Sequence, residues 1–347
     1  MMSYSFLPKI QLRKSVSLVF ALLLLCLCAA LTCAQGQEDG EKITVNTSLV
    51  QLNVGVVDRQ GRPITNLSGS DFVVYENDKQ QSIVDFKPTT APFSLVLLLD
   101  MSGSTVNFRQ NLKQAALRFL DALSPEDRVS VVIFNEKVKA LTGFTTDRRK
   151  AAYAILELAD TLRGETQLYK ALNFSLEHLA KEGARRKAII VLTDGLDTEM
   201  RNQDRAAVAR AQTNEEAIAS IKPDASAPLN AVLNVADRQG VTIYPLALPS
   251  GDINHLPLPD PQLIGMYASA RSRMQILADR TGGHISEIQR LDNLARLYAE
   301  IAAELRTLYS IAYQPAGSQR DGRWRTIRIE VARPELIART RPGYFAR

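Results

Sequence analysis

Phe93 to Asp100 reads F-S-L-V-L-L-L-D, and two hydroxyls follow at alternate positions, Ser102 and Ser104. A continuous apolar run of this length predicts a strand buried on both faces, as in a parallel sheet. Downstream, Leu112, Ala116, Phe119, Leu120 and Leu123 recur at helical spacing between Val106 and Leu123. The D-x-S-x-S segment is therefore a tight turn from a buried strand into a helix, where open α/β sheets place their ligands. One carboxylate and two hydroxyls offer only oxygen, which suits a hard cation. The competing reading is a plain helix start, because Ser and Asp are common N-caps.

Two further stretches bear on that choice. Gly164 to Leu172, G-E-T-Q-L-Y-K-A-L, is a loop that carries a hydroxyl into a helix. Lys187 to Gly195, K-A-I-I-V-L-T-D-G, is a second buried strand that ends in a carboxylate, Asp194. Together, D-x-S-x-S, G-x-T-x-L-Y and T-D-G resemble the metal-ion-dependent adhesion site of a von Willebrand factor type A domain. All five positions are filled, by Asp100, Ser102, Ser104, Thr166 and Asp194. The resemblance implies a doubly wound, mostly parallel α/β sheet with helices on both faces. It also implies Mg²⁺ as the cation, with Mn²⁺ or Ca²⁺ as alternatives. Ser102 and Ser104 would ligate directly, Thr166 directly or through water, and Asp100 and Asp194 mostly through water. In the family the open position takes an Asp or Glu carboxylate from a protein partner.

Residues 1–34 have a basic start (Lys9, Arg13, Lys14) and an apolar run from Val16 to Ala34, the layout of a secretory signal. Thr32 and Ala34 suit cleavage before Gln35; lipoprotein processing at Cys33 and retention as a membrane anchor are the alternatives. Cys26, Cys28 and Cys33 all lie in this segment, so cleavage leaves a chain without thiols or disulfides, held by its core. Loss of Lys9, Arg13 and Lys14 takes the formal charge from +5 to +2. The basic balance therefore gives no case for nucleic acid, and the expected location is secreted or periplasmic.

Residues 35–42 form a polar, flexible lead-in, and 43–90 an N-terminal β module. In that module Val50, Leu52, Val54 and Val56 alternate with polar positions, the turn cluster Asp58–Pro63 follows, and D-F-V-V-Y-E begins at Asp71. Some fifty residues of sandwich are marginal by themselves. The missing strands are sought at 309–347, where Tyr309, Ile311 and Tyr313 alternate and Trp324–Val331 and Arg339–Phe345 read as strands. The tail is expected to complete the sandwich, with the type A domain, 91–308, inserted between its halves.

Within 93–308, strands are predicted at 94–100, 129–134, 188–193, 241–248 and 284–288, with a short edge strand near 138–142. Helices are predicted at 107–122, 148–162, 168–181, 228–238, 268–281 and 291–308, an alternation that means a parallel sheet covered on both faces. Residues 199–227, polar and charged, read as a projecting helix or mobile loop, and the proline-rich 248–261 as irregular. The eight tail arginines read as the solvated face of edge strands, with an anionic contact surface as the alternative. The D-x-x-G-x-P and D-F-x-V-Y-E segments, with the tail motifs D-G-R-W-R (Asp321–Arg325) and R-P-G-Y-F (Arg341–Phe345), resemble the von Willebrand factor A-related proteins of acidobacterial genomes.

The expected function is a divalent-cation-dependent, adhesion-type protein-binding module rather than an enzyme. One alternative is a metal-dependent hydrolase or phosphotransferase using Asp100, which lacks the second carboxylate two residues on, where Ser102 stands. Another is a scaffold whose metal is purely structural. His178, His255 and His284 are scattered, and neither G-x-G-x-x-G nor G-x-x-x-x-G-K-[ST] occurs, so nucleotide binding lacks its loop.

Overall fold

Strands open and close the described part of the chain, with a strand–helix alternation between them. The computed structural model describes residues 49–158, 164–183, 185–249, 260–288, 290, 293–315 and 321–346. The expected signal segment and lead-in, and most of 248–261, lie outside the described residues.

The first strands are β1 (Val50–Val57), β2 (Phe72–Glu76), β3 (Lys79–Gln81) and β4 (Ile83–Lys87). The α/β part begins with β5 (Phe93–Asp100), α1 (Arg109–Ala122), β6 (Arg128–Phe134), β7 (Val138–Ala140), α2 (Arg148–Leu156) and α3 (Leu168–Ala180). It continues with β8 (Arg186–Thr193), α4 (Thr198–Val208), α5 (Asn214–Ser220), α6 (Ala227–Gln239) and β9 (Val241–Ala247). Then come α7 (Pro261–Thr281), β10 (Ser286–Glu287) and α8 (Leu294–Leu305). The chain ends with β11 (Leu308–Tyr313), β12 (Trp324–Val331), β13 (Ile337–Arg339) and β14 (Gly343–Phe345).

The central sheet runs β10-β9-β8-β5-β6-β7, parallel throughout except for the antiparallel edge strand β7. Every residue of β5 and of β8 is buried, which is why both read as unbroken apolar runs. Leu95, Leu97 and Leu99 pack on one face with Leu112, Phe119, Tyr298 and Ile301 from α1 and α8. Val96 and Leu98 pack on the other with Leu172, Leu176, Val232 and Leu233 from α3 and α6. The chain is thus a doubly wound α/β protein whose strand ends, at Asp100 and Thr193, open on one rim.

The remaining strands make two facing sheets, β13-β1-β11-β4 and β14-β12-β2-β3. Their shared core contains Leu52, Val54, Phe72, Val74, Tyr309, Ile311, Tyr313 and Ile327. N- and C-terminal strands interleave: β1 lies between β11 and β13, and β12 between β2 and β14. Burial of Tyr309 and Tyr313 is matched by hydrogen bonds. Tyr309 Oη donates to Ile64 O (2.9 Å) and accepts from Leu67 N–H (3.0 Å), and Tyr313 Oη donates to Glu76 Oε2 (2.7 Å).

Three sequence expectations are corrected. Residues 199–227 neither project nor form a loose loop: α4 and α5 pack on α7, with Val208, Ala217, Ile221 and Met266 in a small core. A buried bidentate pair, Arg273 to Asp204 (2.6 and 2.7 Å), fixes α4 to α7; charges facing a neighbouring helix look polar in sequence. Helix α7 starts at Pro261 rather than 268, because Asp260 caps it and proline is tolerated at the first helical position. Arg339–Phe345 is not one strand. The chain changes sheets between β13 and β14, and Arg341 there is buried rather than solvated, at 4 % exposure.

Residues 47–347 form one compact unit. The sandwich meets the ends of β5, β8 and β9 that lie opposite Asp100. Asn53 Nδ2 donates to Thr242 Oγ1 (2.8 Å) and Gly240 O (3.2 Å). Arg341 reaches Asp237, and Arg186 donates to Thr89 O (2.7 Å) and to Leu308 O while its guanidinium lies 4.0 Å over the Phe93 ring.

Candidate metal centre

The five residues of the expected site lie on loops at the ends of β5 and β8 and before α3. Asp100 is fully buried, and both of its oxygens are held. Ser102 N–H donates to Oδ1 (2.9 Å) and Thr193 Oγ1 donates to Oδ2 (2.7 Å). Thr193 in turn accepts from Gly195 N–H (3.1 Å), so the T-D-G turn and the D-x-S-x-S turn share one carboxylate. Sequence reading missed Thr193; the signal was its hydroxyl at the last position of an otherwise apolar strand.

Ser102 precedes a 3₁₀ turn, Gly103–Phe108, yet its side chain makes no capping hydrogen bond. Its Oγ lies instead 3.1 Å from Ser104 Oγ. Ser102 is buried and Ser104 exposed, which puts the pair at the mouth of the site. Beneath the turn, Thr105 Oγ1 donates to Asp100 O (2.9 Å) and Ser102 O (3.1 Å), and Arg109 Nη2 donates to Ser102 O (2.9 Å). These bonds fix the backbone of the loop and leave the two serine side chains out of its internal hydrogen bonding.

Asp194 is 1 % exposed and accepts Leu196 N–H at Oδ1 (3.1 Å). Burial, and then the nearby Asp194 carboxylate, push the Asp100 carboxyl up to about 7. Two acids that repel in a dry setting are a place where a cation is favoured.

Thr166 is tied to the same rim by its backbone. Thr198 N–H donates to Thr166 O (2.8 Å), and Thr166 N–H donates to Thr198 Oγ1 (3.0 Å). Gly103 N–H reaches Gly164 O (3.3 Å), and Gln167 N–H reaches Asn135 O (3.1 Å). Asp197 caps α4 through the N–H groups of Glu199 (3.0 Å) and Met200 (3.2 Å). Beside Thr166 a cleft of about 330 Å³ opens between α3 and α4, lined by Glu165, Gln167, Lys170, Asp197 and Glu199 among others.

The donor set is all oxygen: two carboxylates and three hydroxyls. That chemistry fits Mg²⁺, Mn²⁺ or Ca²⁺ and does not suit softer ions. Among the described residues no group of three or more His, Cys, Asp or Glu could hold a metal, and this set, with two acids, is not of that kind. His178 lies elsewhere, stacked on Phe144 with Ser130 Oγ 3.1 Å from its Nε2.

Residues 95–196 match the model of the von Willebrand factor type A domain. The chain carries such a domain, with the mixed, mostly parallel sheet described above. An uncharacterized protein of Synechocystis sp. is 33 % identical over 106 residues, which are 30 % of this chain and 25 % of that protein. The match thus spans about a quarter of the relative's length. Among solved structures, the von Willebrand factor domain of the pilus tip protein Mfa5 of Porphyromonas gingivalis is 16 % identical. It covers 62 % of this chain and 95 % of its own, with a TM-score of 0.44. The pilus adhesin SpaC of Lactobacillus rhamnosus GG is 12 % identical, covering 79 % and 47 %, with a TM-score of 0.47. A von Willebrand factor type A protein of Catenulispora acidiphila is 17 % identical, covering 76 % and 51 %, at 0.44. Overlaps this partial carry no argument about partners. Among the described residues no helix is long and apolar enough to cross a membrane.

Proposed function

We propose that the type A domain is an extracytoplasmic, divalent-cation-dependent protein-binding module that captures an Asp or Glu side chain of its partner. Asp100, Ser102, Ser104, Thr166 and Asp194 would hold the ion. The observation that carries this reading is the pairing of two buried carboxylates, Asp100 and Asp194, with the serine hydroxyls 3.1 Å apart at the mouth. A bound cation would supply an electrophilic position for a carboxylate oxygen. The chain does the rest. Thr193 and the Ser102 N–H orient Asp100, and the Thr105 and Arg109 bonds hold the backbone of the turn that carries the two serines.

Binding is favoured over turnover by the state of Asp100. A nucleophilic carboxylate must meet its substrate, whereas Asp100 is 0 % exposed with a hydrogen bond on each oxygen. The test is calorimetric titration of Mg²⁺ and Mn²⁺ into the chain lacking residues 1–34, beside the double variant Asp100→Ala, Ser102→Ala. Saturable binding lost in the variant is the expected result. A wild-type protein that binds neither ion would end this reading.

A further inference from the structure

A second cleft, of about 530 Å³, lies at the end of the α/β domain opposite the metal rim. It is bounded by Thr89–Phe93, which lead from the sandwich into β5, by the turn after α1, and by the last turn of α8. Phe93 opens β5 and Asp100 closes it, so the two places stand about 23 Å apart along the strand. The volume falls within the range of small-molecule sites, which favour the junctions between domains.

A buried cation stands in the wall of this cleft. Arg186 is 3 % exposed, and its hydrogen bonds go to neutral carbonyls, Thr89 O (2.7 Å) and Leu308 O. Its guanidinium lies 4.0 Å over the Phe93 ring, and its Nε is buried without a hydrogen-bond partner. Among the described residues that line the cleft, Asp127 is the acid. Both of its oxygens accept backbone N–H groups, from Phe93 (2.8 Å) and Ser124 (2.9 Å). Burial pushes the Arg186 guanidinium down to about 10, against the opposing charge of Asp127. A buried guanidinium met by dipoles and a ring, with no carboxylate in contact, leaves the wall positively charged.

Arg306, exposed and held to Ala122 O, adds a second guanidinium to the lining. The two are tied to one turn, because Arg186 bonds Leu308 O two positions beyond Arg306. Leu123 and Leu305, both buried, supply apolar surface between these charges and the core. Planar guanidinium donors match the two oxygens of a carboxylate. A cation would be repelled here, and a neutral apolar molecule would leave Arg186 uncompensated.

We propose that this junction cleft binds a small organic carboxylate, with its head group at Arg186 and Arg306 and an apolar body against Leu123 and Leu305. The cleft stands apart from the proposed metal site, and its occupancy does not depend on a cation there. A ligand bound here would bridge the sandwich connection and the α/β domain, so it should stabilise the chain against unfolding.

The test titrates benzoate into the full chain by calorimetry, with acetate and benzyl alcohol as probes that lack the apolar body and the charge. Each titration is run with Mg²⁺ and with EDTA. Saturable benzoate binding is expected, unchanged by EDTA and accompanied by a higher melting temperature. Acetate and benzyl alcohol should each bind about tenfold more weakly. Arg306→Gln, at an exposed position, is expected to weaken benzoate about tenfold through loss of one charge-assisted contact, and Arg306→Lys to recover part of that loss. Thr90→Trp, also at an exposed position of the lining, should obstruct the cleft and abolish binding while the free protein keeps its melting temperature. No saturable benzoate binding, or binding that Arg306→Gln and Thr90→Trp both leave unchanged, would overturn the proposal. Binding lost in EDTA would assign benzoate to the metal rim, and benzyl alcohol binding as tightly as benzoate would make the cleft merely apolar. Either result also overturns it.

Discussion

Arg341 Nη1 lies 2.8 Å from Asp237 Oδ1, joining the connection between β13 and β14 to α6 of the α/β domain. The same guanidinium donates to Gln51 O (3.1 Å) in β1, so one side chain closes a three-way junction. Arg280 approaches Asp237 from α7 (2.9 Å) and covers the Trp324 ring (4.5 Å). Breaking a buried pair is expensive because the partner charge stays behind. Arg341→Met is therefore expected to cost about 3 kcal/mol in urea denaturation. A loss under about 1 kcal/mol would show that Arg280 by itself satisfies Asp237.

The Asp204–Arg273 pair allows a sharper comparison. Both side chains are almost fully buried, at 6 % and 4 % exposure, with two hydrogen bonds between them. Asp204→Ala should destabilise by about 3–5 kcal/mol, whereas the double change Asp204→Leu, Arg273→Met should recover most of that loss. A double variant no more stable than the single one would mean that the hydrogen bonds position α4 in a way apolar packing cannot.

Gly195 sits at φ +85, and an added Cβ would fall 2.5 Å from Met274 Cε. Gly195→Ala is expected to cost about 1–3 kcal/mol through backbone strain. Because the turn carries Asp194, Mg²⁺ affinity by calorimetry should fall with it. Measured against a Met274→Ala reference, which relieves the contact but not the φ and carries its own cavity cost, Gly195→Ala should lose only part of its penalty. Full recovery would place the whole effect in the side-chain clash.

Two histidines should titrate in opposite directions. A hydrogen bond to Glu304, Nδ1 to Oε2 at 3.1 Å, raises His284 above its usual value against the opposing effect of burial. Its contribution is full below the unfolded pKa of about 6.5 and is lost as pH rises through the folded value. Burial, with Lys181 beside it, lowers His178. Its contribution is present above about pH 6.5 and is lost as pH falls toward the folded value. Bulk denaturation mixes the two, so ¹H–¹⁵N NMR of each ring is the measurement. Glu304→Gln should bring His284 back toward 6.5 and leave His178 unmoved. A joint shift of both rings would mean that the two titrations share a cause.

Much of the α/β fold was legible. The unbroken runs of β5 and β8 announce strands buried on both faces, and α3 and α6 begin and end within a residue or two of their periodic patterns. The D-x-S-x-S and T-D-G turns identified one carboxylate each. Thr193 was overlooked because a hydroxyl at a strand end has no periodic signature, although it orients Asp100. The 199–227 region misled because Asp204 looks solvated until Arg273 is found facing it from α7.

Local pattern therefore determined the strands of the parallel sheet, the order of its elements along the chain, and the oxygen-rich loops at one rim. Those features depend on residues near one another in sequence, where side-chain period and turn chemistry act directly. Only the tertiary structure decided which long-range partners lock the parts together. Asn53 on Thr242 spans 189 positions, and Arg341 on Gln51 spans 290. A buried polar group is acceptable only where its partner waits, and no local pattern records where that is.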